Sequence, residues 1–96
     1  MMEILEKVKE WEKALINIYV AFGVEAFKYT MAPCHKSWVY NLWRWTLLKR
    51  VRRGWYRITP FGVKCVRVLA RKYKIDIEKL REEKLKRRIY EKEKVE

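Results

Sequence analysis

The sequence lacks acidic residues over more than half of its length. None of the fifty residues 26–75 is Asp or Glu, although thirteen of them are Lys or Arg. The twelve acids lie in the flanks, five in residues 1–25 and seven in residues 76–96. Like charges concentrated on a small fold repel one another unless an anionic partner neutralises them. The acid-free segment therefore predicts a polyanionic partner, with nucleic acid the first to consider.

Long apolar runs are also missing. The longest stretch without a charge, residues 14–24, has eleven residues, whereas a membrane-spanning helix needs about 20. Glu3, Glu6 and Glu10 interrupt the region where a signal peptide would be apolar. We therefore expect no membrane partner and a cytoplasmic location, in the host cytoplasm if the source is viral. Abundant Lys, Arg and Glu without any Gln favour a thermophilic source.

Cysteine and histidine are scarce. Cys34 and Cys65 are too few for a disulfide framework, and the sequence predicts half-buried thiols, with a Cys34–Cys65 disulfide as an open alternative. Zinc held by these two thiols and His35 would lack a fourth ligand, so no metal or cofactor is expected. The acid-free segment offers no general base, and no small-molecule site is evident. The sequence thus argues against an enzyme.

The N-terminal segment has the pattern of an amphipathic helix ending near Gly23. Its apolar residues recur at alternating steps of three and four: Ile4, Val8, Trp11, Leu15, Ile18 and Phe22. Residues from about 11 to 22 should enter the core. For the first turns we expect a homodimer interface, and packing within one subunit is the alternative. The interface would use Ile4, Val8, Trp11 and Leu15.

Residues 24–31 predict a short second helix, which Ala32 and Pro33 would end. A third helix should then run from about Ser37 to Leu47. Its inner face would carry Trp38, Leu42 and Trp45. The opposite face would be polar and basic, with Lys36, Ser37, Tyr40, Asn41 and Arg44.

Apolar and basic residues then alternate around Arg53 and Gly54, which predicts a two-stranded hairpin. Its basic residues are Lys49, Arg50, Arg52, Arg53 and Arg57. Thr59 and Pro60 are typical of a helix start, and a fourth helix should follow. Residues 76–96 mix both charge signs and predict a largely solvated helix. The expected organisation is a domain over residues 1–75 with a C-terminal extension over 76–96.

This order places a helix-turn-helix beside a basic hairpin. The second helix of such a unit fits the major groove of DNA. Arg side chains can read guanine and Asn side chains adenine, while hairpin arginines can contact the backbone or the minor groove. The fold class predicted is mainly α with a short two-stranded β wing and helical extensions at both ends.

Residues 47–69, LLKRVRRGWYRITPFGVKCVRVL, resemble the wing and following helix of winged-helix transcriptional regulators of the MarR and ArsR type, including small archaeal and archaeal-virus relatives. Tyr56, Thr59 and Gly62 match the Tyr-x-x-Thr-x-x-Gly pattern of that family. Residues 37–45 occupy the position of its recognition helix. The resemblance covers about residues 12–73. It implies a homodimer that binds double-stranded DNA and regulates transcription.

Two other functions remain open. Tyr and Trp side chains could stack unpaired bases in an RNA-binding module. The terminal helices could instead make the chain a protein-interaction adaptor in a nucleoprotein complex.

Overall fold

The computed structural model describes residues 8–84. Its elements in chain order are helix α1 Glu10–Phe22, strand β1 Phe27–Lys28, a 3-10 turn Tyr29–Met31, helix α2 Lys36–Arg44, strands β2 Leu48–Arg52 and β3 Trp55–Ile58, and helix α3 Pro60–Lys72. A further helix, α4, occupies residues 77–84. The three strands form one antiparallel sheet in the order β1-β3-β2. Helices cover one face of this sheet, and the hydrophobic core lies between the helices and the sheet.

Helix α1 confirms the prediction made from its apolar spacing. Leu15 and Ile18 are completely buried in the core. Gly23 ends the helix with a φ of 59°, a conformation that favours glycine, and its N–H donates to the Tyr19 carbonyl at 2.8 Å.

The interface residues predicted on this helix need correction. Leu15 lies in the core of the single chain, and Val8 is 4 % exposed, so neither is available to a second subunit. Trp11 is half buried against the same core, and Ile4 lies outside the described residues. The three-and-four spacing predicts burial, and the chain's own core buries Leu15 and half buries Trp11.

The predicted second helix is wrong. Phe27 and Lys28 form β1, which pairs with Tyr56 and Trp55 of β3, and only the short 3-10 turn follows. Phe27 is 1 % exposed and stacks on Phe22 with ring centroids 4.7 Å apart. The buried Phe27 ring holds this segment extended beside β3. The backbone of β1 pairs with β3 there and needs no helix to satisfy its hydrogen bonds.

The predicted hairpin is confirmed. Gly54 has a φ of 81° in the turn between β2 and β3. Leu48 pairs with Ile58, and both are buried. The register shifts between Arg50 and Arg52, which marks a bulge at Val51.

The Tyr-x-x-Thr-x-x-Gly pattern has a structural explanation in the junction between hairpin and α3. The Thr59 hydroxyl accepts from the Gly62 N–H at 2.9 Å, which confirms the predicted cap, and donates to the Thr46 carbonyl at 2.8 Å. Gly62 is buried, and a Cβ there would lie 2.7 Å from Ile58 Cγ1 and closer still to the Leu47 carbonyl oxygen. Thr59 and Gly62 of the pattern thus hold the start of α3 against the residues that precede β2.

The architecture is mainly helical with a small antiparallel sheet, arranged as a winged helix. The hairpin and the helices on either side of it agree with the expected fold class; the third strand and the missing second helix are the differences. Ile77 of α4 joins the core, and the Arg81 guanidinium lies 5.2 Å from the Tyr19 ring centroid, so the described part of the C-terminal extension packs on the domain. Among residues 8–84, no helix has the length and apolar character needed to cross a membrane.

Candidate functional site

Helix α2 presents a polar face to solvent. His35 caps its first turn, because its Nδ1 accepts from the Ser37 N–H at 3.2 Å. Val39 and Leu42 fix the opposite face in the core. Of the five residues predicted for the polar face, Asn41 is half buried and the other four are exposed: Lys36, Ser37, Tyr40 and Arg44.

The predicted inner face of α2 needs one correction. Trp45 is 49 % exposed and makes an edge-to-face contact with Trp11 at 6.2 Å between ring centroids. The helix ends at Arg44, so helical spacing no longer determines the direction of Trp45. Val39, which was not predicted for this face, is buried in the core.

An aromatic cluster joins α2 to the sheet. The Trp43 ring lies edge-on to Tyr40 at 5.7 Å and to Tyr56 of β3 at 6.1 Å. Edge-to-face pairs of this kind fix the orientation of the rings. Sequence reasoning missed the contribution of Trp43 and Tyr56 to the site, although the spacing of Tyr40 and Trp43 places both on one side of a helix.

Two arginines lie over this cluster. The Arg44 guanidinium is 5.9 Å from the Tyr40 centroid, and the Arg50 guanidinium of β2 is 6.0 Å from the Trp43 centroid. Contacts with ring faces restrain the long side chains while leaving N–H groups available. We call this region the helix-side surface, and it comprises Lys36, Ser37, Tyr40, Asn41, Trp43, Arg44, Arg50 and Tyr56.

The sheet divides the predicted wing residues between its two faces. Side chains alternate along a strand, and paired residues point to the same side. Arg50 pairs with Tyr56 on the helix-side surface, whereas Lys49 pairs with Arg57 on the opposite face. Lys28 pairs with Trp55 on that opposite face, and the Arg52 guanidinium lies 4.6 Å from the Trp55 centroid. We call this second region the outer sheet face, and it comprises Lys28, Lys49, Arg52, Trp55 and Arg57.

Arg53 is exposed in the turn between β2 and β3. The structure therefore brings only Arg50 of the predicted wing set against α2. It also adds Lys28 and Trp55, which the sequence analysis did not assign. Lys28 and Trp55 come together through the pairing of β1 with β3, which a local sequence pattern does not predict.

Among residues 8–84, no carboxylate forms an ion pair with either basic surface. Within residues 8–84 the single ion pair joins Lys13 to Glu10 at 3.8 Å, and both belong to α1. Unpaired cations on one side of a protein raise the local concentration of polyanions and accelerate their association.

The two thiols are free and half buried, so the alternative of a Cys34–Cys65 disulfide is not realised in this structure. Burial raises the pKa of the Cys34 thiol, which keeps it protonated to higher pH than an ordinary cysteine. Among the described residues no group of three His, Cys, Asp or Glu side chains is placed to hold a metal ion.

Neither family models, nor curated proteins, nor solved structures yield a match to this chain, so the description of its fold rests on its own element order and strand pairing.

Proposed function

We propose that this chain binds double-stranded DNA through α2 and regulates transcription. The observation that carries the proposal is the exposed polar face of α2, which lies beside Arg50 and has no carboxylate within it. A helix of this kind fits the major groove. With α2 in the groove, the neighbouring hairpin would contact the DNA backbone.

The roles of the side chains follow from their chemistry. Arg44 and Asn41 have the donors and acceptors that pair with guanine and adenine edges. Lys36 and Ser37, in the first turn of α2, are suited to phosphate oxygens. Arg50 and the exposed turn residue Arg53 extend these phosphate contacts along the flanking backbone.

The aromatic cluster supports this role by limiting motion. The rings of Tyr40 and Trp43 contact the Arg44 and Arg50 guanidinium groups at 5.9 and 6.0 Å and restrict their motion relative to α2. Arginines whose motion is already restricted lose less conformational entropy when they bind DNA.

The proposal includes a homodimer. The surface available for its interface differs from the residues predicted from the sequence. Exposed apolar side chains lie beside Trp11, where Trp45 is 49 % and Phe61 54 % exposed, and Cys65 lines the same surface. A two-fold pair would place its recognition helices roughly 34 Å apart. Light scattering at micromolar concentration should give the dimer mass for the unmodified chain and the monomer mass for Phe61→Ser.

The decisive experiment is selection from random duplex DNA, followed by anisotropy titrations of a selected and a shuffled duplex. We expect enrichment of one sequence and a fall in log K with log salt of about 0.9 per phosphate contacted. The doubly substituted Asn41→Ala, Arg44→Ala chain should lose the preference for the selected duplex. Recovery of random sequences by the unmodified chain would contradict the proposal.

A further inference from the structure

We propose that the outer sheet face is a second binding site, which takes a single-stranded nucleic acid and stacks an unpaired base on Trp55. This site is independent of duplex binding by α2, and neither requires the other. Its residues come from all three strands, and the register alone brings them together.

The geometry surrounds one indole with cations. Lys28 is the cross-strand partner of Trp55, Arg57 lies two residues further along the same strand, and Lys49 is the partner of Arg57. All three cations are exposed, while Trp55 is partly exposed. An aromatic ring among cations on an open sheet is the arrangement that single-strand binding proteins use, since bases stack while phosphates are neutralised.

Arg52 supplies the exchange that would accompany binding. Its flat guanidinium now lies 4.6 Å from the Trp55 centroid. A base can replace it on the indole, because both are planar and stack well on tryptophan. The displaced guanidinium would then pair with a phosphate oxygen of the same nucleotide or the next one.

Trp55 favours a single-stranded nucleic acid over other polyanionic ligands. Bases in a duplex are stacked on one another and cannot reach a ring on a sheet surface, so duplex DNA would use only the cations. An acidic membrane surface would favour an amphipathic helix with a wide apolar face, whereas this site is a sheet on which Val51, at the bulge of β2, is the neighbouring exposed aliphatic residue. Unpaired nucleotides use both features, whether the sugar is ribose or deoxyribose.

The site also lies opposite the helix-side surface. Lys49 and Arg50 are neighbours in β2, yet Arg50 lies over Trp43 while Lys49 pairs with Arg57. One short duplex seated on α2 therefore leaves the outer sheet face accessible to a single strand.

The test compares matched substitutions on the two surfaces in the full chain. Anisotropy would follow fluorescent 12-nucleotide oligo-dT and oligo-U, which cannot pair with themselves. Trp55→Leu should weaken both by about tenfold, equivalent to about 1.4 kcal/mol, as expected for the loss of one stacked base. Tyr29→Leu, which removes an exposed aromatic ring that belongs to neither surface, should leave both affinities unchanged. Trp55→Tyr should recover part of the loss.

Charge is tested in the same way. Arg57→Ala should weaken oligonucleotide binding, and Arg44→Ala should weaken only duplex binding. If Trp55→Leu impairs folding, photocross-linking of 5-bromodeoxyuridine oligonucleotides to the unmodified chain should place the adduct on Trp55. Equal losses for Trp55→Leu and Tyr29→Leu, equal losses for both arginine variants, a cross-link elsewhere or an absence of oligonucleotide binding would each overturn the proposal. A difference between the two probes would identify the preferred sugar.

Discussion

The hydroxyl of Tyr73 donates a 2.8 Å hydrogen bond to the carboxylate of Glu12, joining the end of α3 to the start of α1. Glu12 is 3 % exposed, and the same oxygen accepts from the Lys9 N–H at 3.0 Å. A buried carboxylate is costly unless it is hydrogen bonded, so this pair fixes the relative position of two core helices.

Tyr73→Phe should therefore lower the free energy of unfolding by about 1–3 kcal/mol, because the buried carboxylate loses a donor. Urea denaturation measures the loss. Tyr29→Phe, which removes the same atom from an exposed tyrosine, serves as the control and should change little. Equal stability of the two variants would show that the Glu12 bond contributes nothing.

Gly62→Ala tests the junction between the hairpin and α3. An alanine normally stabilises a helix by roughly 1 kcal/mol relative to glycine. Here its Cβ would collide with the Leu47 carbonyl and the Ile58 side chain, so we expect a net loss of about 1–3 kcal/mol. Lys64→Ala, at an exposed position of the same helix, should stay within about 0.5 kcal/mol. A stabilised Gly62→Ala chain would mean that β2 can move away freely.

Thr46 offers a stabilising substitution. Its φ of 62° is unfavourable for a β-branched residue. Thr46→Asn should raise the unfolding free energy by about 1 kcal/mol, because asparagine tolerates this conformation. Thr46→Val keeps the branch and should not stabilise. Thermal melts of the two variants measure the difference, and a higher Tm for the valine variant would refute the explanation.

Arg50 and Arg57 separate the two faces of the hairpin for duplex binding. Arg50→Ala should reduce the salt slope for duplex DNA by about 0.9, the value for one lost phosphate contact. Arg57→Ala removes the same charge from the outer sheet face and should leave that slope unchanged. Titrations over a range of salt concentrations measure both slopes, and a similar reduction in both would indicate attraction by overall charge alone.

Asn41 and Arg44 should determine base preference. Replacing either by alanine should cost about 1–3 kcal/mol on the preferred duplex and much less on a shuffled one. Lys36→Ala should instead weaken both duplexes alike, as expected for a phosphate contact. Competition titrations distinguish these outcomes, and a uniform loss for Asn41 and Arg44 would assign them to the backbone.

Local patterns predicted the elements that depend on local interactions. The spacing of Leu15 and Ile18 predicted α1, Gly54 predicted the turn, and Thr59 predicted the start of α3, since each acts within a few residues. The extended conformation at Phe27 depends on β3, nearly thirty residues further on. Its short segment is equally compatible with a helix until that partner is known.

The same distinction applies to the site. The exposed side of α2 was predictable because helical spacing determines which side chains face away from Leu42. The division of the hairpin cations was not, because it depends on register and on the bulge at Val51. Val8 and Leu15 show a further limit, since an apolar stripe predicts burial without identifying the chain that covers it.

The position of β2 at the edge of the sheet has a consequence for solubility. An edge strand leaves backbone groups unpaired, and another chain can add to them and begin aggregation. β2 carries Lys49, Arg50 and Arg52 within five residues and bends at its bulge. Charges and bulges on an edge both hinder such strand addition. The cations of β2 thus hinder edge-to-edge pairing between copies, and neutralising several of them together should make the protein prone to precipitate.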